Sequence, residues 1–228
     1  MKPRILLGDD HSLILEGIKG LVETRYEVAG VADNGRALSD AALRLKPDVV
    51  VLDISMPILN GIDATREVTH ALPSTKVVVL TMHSNAIYLR KALEAGASGY
   101  VLKSGAAEEL LTAIAQVLKG GTYVSPSFDR RTLEFVELWR QSPGRGLIEL
   151  TSRQRQILQL VAEGRANKEI AHILSVSVKT VEFHRSRLMT KLGVRSVAEL
   201  TTFAIREGLI DADATGAAVQ TQPFNGEN

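Results

Sequence analysis

Up to about residue 120, short β-branched apolar runs alternate with longer segments whose apolar residues recur at helical spacing. The runs are Ile5-Leu6-Leu7, Val28 to Val31, Val49 to Leu52, Val77 to Leu80 and Tyr100 to Leu102, and they predict five buried strands. Between them, Leu13 to Val22, Ala37 to Leu45, Ile62 to Ala71, Ile87 to Ala95 and Leu110 to Leu118 predict helices. Strands apolar on both faces need cover on both faces. The alternation therefore predicts an α/β domain with a doubly wound, five-stranded parallel sheet.

From Gly120 to Gly146 the pattern loosens, punctuated by Gly120-Gly121, Pro126, Pro143 and Gly144, with one helical run from Thr132 to Arg140. This stretch reads either as a linker with a short helix or as a helix whose Leu133, Val136 and Trp139 pack on a neighbouring domain. After Leu150 the chain turns all-helical. Thr151-Ser152-Arg153-Gln154 matches the capping box, which starts a helix that runs to Glu163 and stops at Gly164. Helices follow at Asn167 to Leu174, at Lys179 to Leu192 with Ser177 as cap, and at Val197 to Glu207 before Gly208. The expected organisation is an α/β domain over residues 1–121, a linker over 122–147, a small all-α four-helix domain over 148–212 and a flexible tail over 213–228.

Composition adds two facts. Cysteine is absent, which excludes disulfides, thiol catalysis and thiolate metal sites. The near-zero net charge hides a split: residues 1–125 hold 13 Lys/Arg against 14 Asp/Glu, whereas residues 151–200 hold 9 against 4. A basic second domain points to a polyanionic partner. No stretch approaches the ~20 apolar residues that cross a bilayer, so no membrane partner and a cytoplasmic location are expected.

In a doubly wound sheet, functional groups gather at the carboxyl ends of the strands. Here those ends carry Asp9 and Asp10 after the first strand, Asp53 after the third, Thr81 after the fourth and Lys103 after the fifth. Converging carboxylates repel one another unless a cation holds them, and an all-oxygen set suits Mg2+. A carboxylate can attack phosphorus while an ammonium and a hydroxyl stabilise the phosphoryl oxygens, which makes Asp53 the candidate phosphoacceptor. A phosphatase acting through such an intermediate would need a further carboxylate as general acid, and Asp9 and Asp10 are already assigned to metal.

Asp9-Asp10, Asp53-Ile54-Ser55-Met56-Pro57 with Asn60-Gly61, Thr81, and Ala95-Gly96-Ala97-Ser98-Gly99-Tyr100-Val101-Leu102-Lys103 resemble the flavodoxin-like receiver domain of two-component response regulators. The resemblance implies a sensor histidine kinase as phosphoryl donor to Asp53. It implies Mg2+ binding by Asp9, Asp10, Asp53 and the Ser55 backbone carbonyl. It also implies phosphate contacts from Thr81 and Lys103, and an aromatic switch at Tyr100.

In the second domain, the helices Asn167 to Leu174 and Lys179 to Leu192 have helix-turn-helix spacing. At about 100° per residue, Val181, Leu188 and Leu192 share a core face. Lys179, Phe183, Ser186, Arg187 and Thr190 point broadly the other way, with Glu182 at the edge, and suit a major groove. Arg185, Lys191 and the helix start near Thr180 are placed for phosphates, and His184 reads as a packed core-boundary histidine ahead of a DNA contact or a metal ligand.

Leu150 to Arg153, Asn167-Lys168-Glu169-Ile170-Ala171, Thr180-Val181, His184 and Lys191-Leu192-Gly193-Val194 resemble the LuxR-type DNA-binding domain, and the pairing with a receiver resembles the NarL/FixJ class. Gln154 departs from the glutamate usual there but still completes a capping box. The resemblance implies a transcription factor that binds double-stranded DNA as a homodimer when phosphorylated, with Val197 to Ala204 near the dimer contact.

Overall fold

In a computed structural model, the chain forms two compact units, residues 1–147 and 148–228. The structure describes residues 2–105, 107–128, 130, 132–134 and 150–210.

The first unit runs β1 (Arg4–Gly8), α1 (Ser12–Glu23), β2 (Glu27–Ala32), α2 (Gly35–Leu45), β3 (Val49–Leu52), α3 (Gly61–Ala71), β4 (Lys76–Thr81), α4 (Ala86–Glu94), β5 (Gly99–Leu102), α5 (Ala107–Leu118) and β6 (Tyr123–Val124). All strands are parallel, in the order β2-β1-β3-β4-β5-β6. Successive strand residues point to opposite faces, and the two cores follow from that. Leu6, Val50, Leu52, Val77, Val79 and Tyr100 pack with α2, α3 and α4. Ile5, Leu7, Val49, Val51, Val78, Leu80 and Val101 pack with α1 and α5.

The sheet has six strands where the hydrophobic pattern predicts five. Tyr123 and Val124 pair with Gly99 and Tyr100 at the edge of β5, Tyr123 N–H donates to the Ser98 carbonyl (3.0 Å), and Ser125 N–H donates to the Tyr100 carbonyl (2.8 Å). Two residues after a Gly-Gly step carry no periodicity, so only their pairing reveals the strand. That pairing covers backbone groups that a bare edge strand would leave open. Phe128 follows, 6% exposed, with its ring edge-on to Tyr100 at 5.5 Å. The segment assigned to a linker from residue 122 therefore begins as part of the first unit. Within the helical run expected from Thr132 to Arg140, residues 132–134 are helical; Val136, Trp139 and most of the segment to 147 lie outside the described residues, as does the tail over 213–228.

The second unit contains α6 (Ser152–Ala162), α7 (Asn167–Ile173), α8 (Val178–Leu192) and α9 (Val197–Arg206). Thr151 Oγ1 accepts from Gln154 N–H (3.2 Å) and Gln154 Oε1 accepts from Thr151 N–H (3.0 Å), the reciprocal pair expected of the capping box. Ile157, Leu158, Leu160, Ile170, Val181, Leu188, Leu200 and Ala204 close one core. Between α7 and α8 the chain turns through Ser175 at φ 51°, and Val176 N–H returns to the Ala171 carbonyl (2.9 Å), the Schellman closure usually made by glycine. Among the described residues, no helix is long and apolar enough to cross a membrane.

Candidate functional site

The carboxyl ends of β1 and β3 are neighbours, and the chain leaves them in opposite directions, to β2 and to β4. This is the switch point of the sheet, where a crevice opens. Asp9 and Asp53 leave the two strands there, 2% and 4% exposed. The Asp9 N–H donates to the Ala32 carbonyl (3.1 Å) and the Asp53 N–H to the Gly8 carbonyl (2.9 Å), so the backbone fixes both positions. Gly61 fixes the loop after Asp53: a Cβ at Gly61 would stand 1.9 Å from the Asp53 carbonyl oxygen, so only glycine allows the approach. Its N–H donates to the Ile54 carbonyl (2.8 Å), and Asn60 caps α3 by accepting from Asp63 N–H (2.9 Å). Inside this loop, Leu59 N–H donates to the Pro57 carbonyl (2.8 Å) around Ile58 at φ 70°. A β-branched residue in the left-handed region holds strain, of order 1–3 kcal/mol, beside the site.

Lys103, after β5, reaches both carboxylates. Its Nζ lies 2.7 Å from Asp9 Oδ2 and 2.6 Å from Asp53 Oδ2, and the three side chains are 7%, 2% and 5% exposed. Burial alone would lower the Lys103 pKa, but the Asp53 and Asp9 carboxylates outweigh it and the net shift is upward. The second oxygen of Asp53 accepts from Ile54 N–H (2.6 Å).

Asp10 is more open, and burial raises its pKa, with the charges of Asp9 and Asp53 adding to the rise and His11 opposing it. His11 joins the two acids: its Nδ1 lies 2.9 Å from Asp10 Oδ1 and 3.3 Å from Asp9 Oδ1, and its N–H donates to Asp9 Oδ1 (3.0 Å). One ligand atom from each of Asp9, Asp10 and His11 falls within 4.8 Å of the others.

Thr81 ends β4 fully buried, and its Oγ1 accepts from His83 N–H at 3.4 Å. Tyr100 is also fully buried, and its hydroxyl donates to the His83 carbonyl (2.8 Å). Burial, then the Asp53 charge, pushes the Tyr100 phenol well above its usual pKa. The His83 ring stacks on Tyr88 (4.0 Å between centroids), and its Nε2 meets the Ser55 hydroxyl at 2.9 Å. The structure thus joins Asp9, Asp53 and Lys103 directly, and Ser55, Thr81 and Tyr100 through His83. No sequence motif singles out His11 or His83. The first was legible as a neighbour of the acidic pair; the second sits in a loop with no pattern.

The second candidate surface is the outer face of α8. Val181 and Leu188 are buried and Leu192 half-buried on the core side. Lys179, Glu182, Phe183, Ser186, Arg187, Thr190 and Lys191 are exposed, and Thr180, His184 and Arg185 are half-buried. Ser177 caps the helix, its Oγ accepting from Thr180 N–H (3.1 Å) and lying 2.8 Å from Thr180 Oγ1. Arg185 turns across to Asn167 Oδ1 (3.3 Å), which ties α8 to the start of α7. The Arg187 guanidinium lies 5.4 Å from the Phe183 ring centroid, and the His184 ring meets Phe183 edge-on at 5.7 Å.

An acidic pocket at the switch point of a flavodoxin-like sheet, with a helix-turn-helix unit on the same chain, defines a signalling protein that controls DNA. The comparisons give the family. Residues 5–115 match the response regulator receiver domain, and residues 149–204 match the bacterial regulatory proteins of the luxR family. The chain is 40% identical over 212 residues to the transcriptional regulatory protein MctR of Rhizobium johnstonii, covering 92% of this chain and 96% of that one. It is 38% identical over 215 residues to the oxygen regulatory protein NreC of Staphylococcus aureus, covering 91% and 99%. Among solved structures, the RcsB response regulator of Salmonella typhimurium aligns with a TM-score of 0.59 at 29% identity over 90% of this chain and 98% of that one. RcsB bound to the promoter rprA in the presence of the phosphomimetic BeF3- aligns with a TM-score of 0.55 at 30% identity, covering 88% and 98%. The chain belongs to the two-component response regulators of the NarL/FixJ class, transcription regulators that join a receiver domain to a LuxR-type helix-turn-helix.

Proposed function

We propose that Asp53 is the phosphoacceptor through which a sensor histidine kinase switches this cytoplasmic regulator. One observation carries the reading: a buried lysine lies within 2.7 Å of two buried carboxylates, at the ends of three different strands. In the transfer, an Asp53 carboxylate oxygen attacks the phosphorus of a phosphohistidine. The new O–P bond forms as the P–N bond breaks, and the departing imidazole takes up a proton. Lys103 holds the phosphoryl oxygens by charge, and the Thr81 hydroxyl donates to one of them. The same aspartyl phosphate slowly hydrolyses, with no other substrate turned over.

The donor set fits Mg2+: Asp9, Asp10, Asp53 and the Ser55 backbone carbonyl offer oxygens only, around a pocket that already draws a cation between its acids. When bound, the ion neutralises charge that develops on the phosphoryl oxygens. Leu13, at 86% exposure three residues after Asp10, and Met82, at 69% next to Thr81, are apolar side chains on which a kinase could dock.

When Thr81 turns to the phosphoryl group it gives up the His83 N–H, and Tyr100, held by the His83 carbonyl, moves with that loop. The result is a population shift toward a homodimer that binds double-stranded DNA through α8. RcsB, solved as dimers bound to DNA and with a promoter in the presence of BeF3-, supports a dimeric DNA-bound state. The test is the mass and DNA affinity of one sample with and without beryllofluoride and Mg2+. Dimer formation with tighter binding is expected. No change in either, with Mg2+ bound, would mean that the receiver does not govern DNA binding by dimerisation.

A further inference from the structure

Phe183 stands out on α8. It is 57% exposed, whereas Phe128 is 6% exposed and Phe203 packs against the helical core. It follows Val181, which is fully buried in that core, by two residues, on the opposite side of the helix. Among the described residues, no core packing of this unit uses an aromatic there, and exposing one to water is unfavourable.

The surroundings hold the ring in place. Arg187 covers it from one helical turn further on at 5.4 Å, and His184 meets it edge-on at 5.7 Å, so little side-chain freedom remains to be lost on binding. The charges around it say what it faces. Lys179 and Arg187 lie one turn to either side and can meet phosphates, but the adjacent exposed carboxylate of Glu182 cannot, because like charges repel. With this face in a major groove, as proposed above, the arc that carries Glu182 and Phe183 is left to face base edges. Of the groups that base pairs present in the major groove, the thymine C5 methyl is the apolar one; the others are hydrogen-bond donors and acceptors that an aromatic hydrocarbon cannot satisfy.

We infer that Phe183 reads the methyl group of a thymine, so that the operator of this regulator carries a required thymine under the first turns of α8. The inference rests on the DNA-binding reading above and deepens it, by adding a base identity that a basic helix face alone does not supply.

The test uses the full chain with beryllofluoride and Mg2+. A site is first selected from randomised duplexes, and each thymine in it is then replaced singly by deoxyuridine, which deletes only the methyl. At one position in each half-site the unmodified chain should bind roughly four-fold more weakly, the worth of one buried methyl group. Phe183→Ala should bind more weakly overall and be indifferent to that replacement. Phe183→Leu, which keeps an apolar contact and the helix, should retain part of the sensitivity. Affinity unchanged by deoxyuridine at every thymine overturns the inference while leaving DNA reading intact, as does undiminished sensitivity in Phe183→Ala. Failure to enrich any sequence overturns this inference and the DNA-reading function together.

Discussion

The pocket of the receiver and the outer face of α8 use the same kinds of charge in opposite ways. In the pocket, Lys103, Asp9 and Asp53 are at most 7% exposed and touch within 2.7 Å. On α8, Lys179, Arg187 and Lys191 are exposed. Buried charges are costly to desolvate, so each depends on its partners, and removing one leaves an uncompensated ion. Exposed charges lose little when a neighbour is removed, and their work is done collectively on a polyanion, where salt screens them. Under the proposed function, the pocket would act as a switch with discrete states and the helix face as a graded reader.

The sharpest break of that contrast is at the acceptor. Asp53→Ala should abolish labelling by a small phosphodonor such as acetyl phosphate, read as added mass on the intact chain. Persistent stoichiometric labelling would move the acceptor to another residue.

Lys103→Ala comes next. It leaves Asp9 and Asp53 buried without a cation, and the first unit should lose about 3–5 kcal/mol in the presence of a chelator. Mg2+ should restore much of this by taking up the charge. A loss of equal size with and without Mg2+ would show that metal and lysine do not share the pocket. The pH dependence follows from the upward shifts of Lys103 and Tyr100. Both groups hold their protons more tightly in the folded chain, so the unfolded chain binds fewer protons at alkaline pH and stability falls as pH rises. The Lys103 contribution is complete below its unfolded value of 10.5 and is lost as pH climbs through the higher folded value. Lys103→Met and Tyr100→Phe should each flatten that alkaline decline in calorimetric melts; a decline as steep as in the parent chain would place its cause elsewhere.

Phe128→Ala probes the border of the first region. Its ring is 6% exposed against Tyr100, and truncation should cost about 3 kcal/mol. A loss below about 1 kcal/mol would return the 123–128 segment to the status of a linker. A smaller follow-up measures whether beryllofluoride still tightens DNA binding in this variant.

Phe128 also marks where the sequence stops being legible. The five inner strands could be read because each is a continuous apolar run, and the α6 cap because Thr151 and Gln154 stand three apart. Asp9, Asp10, Asp53, Thr81 and Lys103 could be read because the sheet brings every strand end to one edge. The β6 strand could not, since two residues beside a Gly-Gly step have no periodicity and exist as a strand only through pairing with Gly99 and Tyr100. His83 was hidden for the same reason. Its role comes from backbone and ring contacts to Ser55, Thr81, Tyr88 and Tyr100, which lie far apart in the chain. Arg185 adds a contact that the helix position alone does not show, its side chain reaching Asn167 Oδ1 on α7.

The smallest expected effect lies on the graded side. Lys179→Ala and Arg187→Ala should each weaken binding to any duplex and lower the slope of log affinity against log salt by about 0.9, one phosphate contact each. Arg187 also lies against Phe183, so its removal should loosen the ring and reduce sequence discrimination as well, whereas Lys179 should change affinity alone. Comparing the two variants on a selected site and on random DNA separates these effects. Equal losses on both duplexes for Lys179→Ala, with a larger loss on the selected site for Arg187→Ala, would establish a division of labour along the helix. Unchanged affinity and salt slope in both variants would place the DNA on another face of the unit. The face would then be ordinary solvated surface, and the contrast with the buried pocket would be one of burial alone.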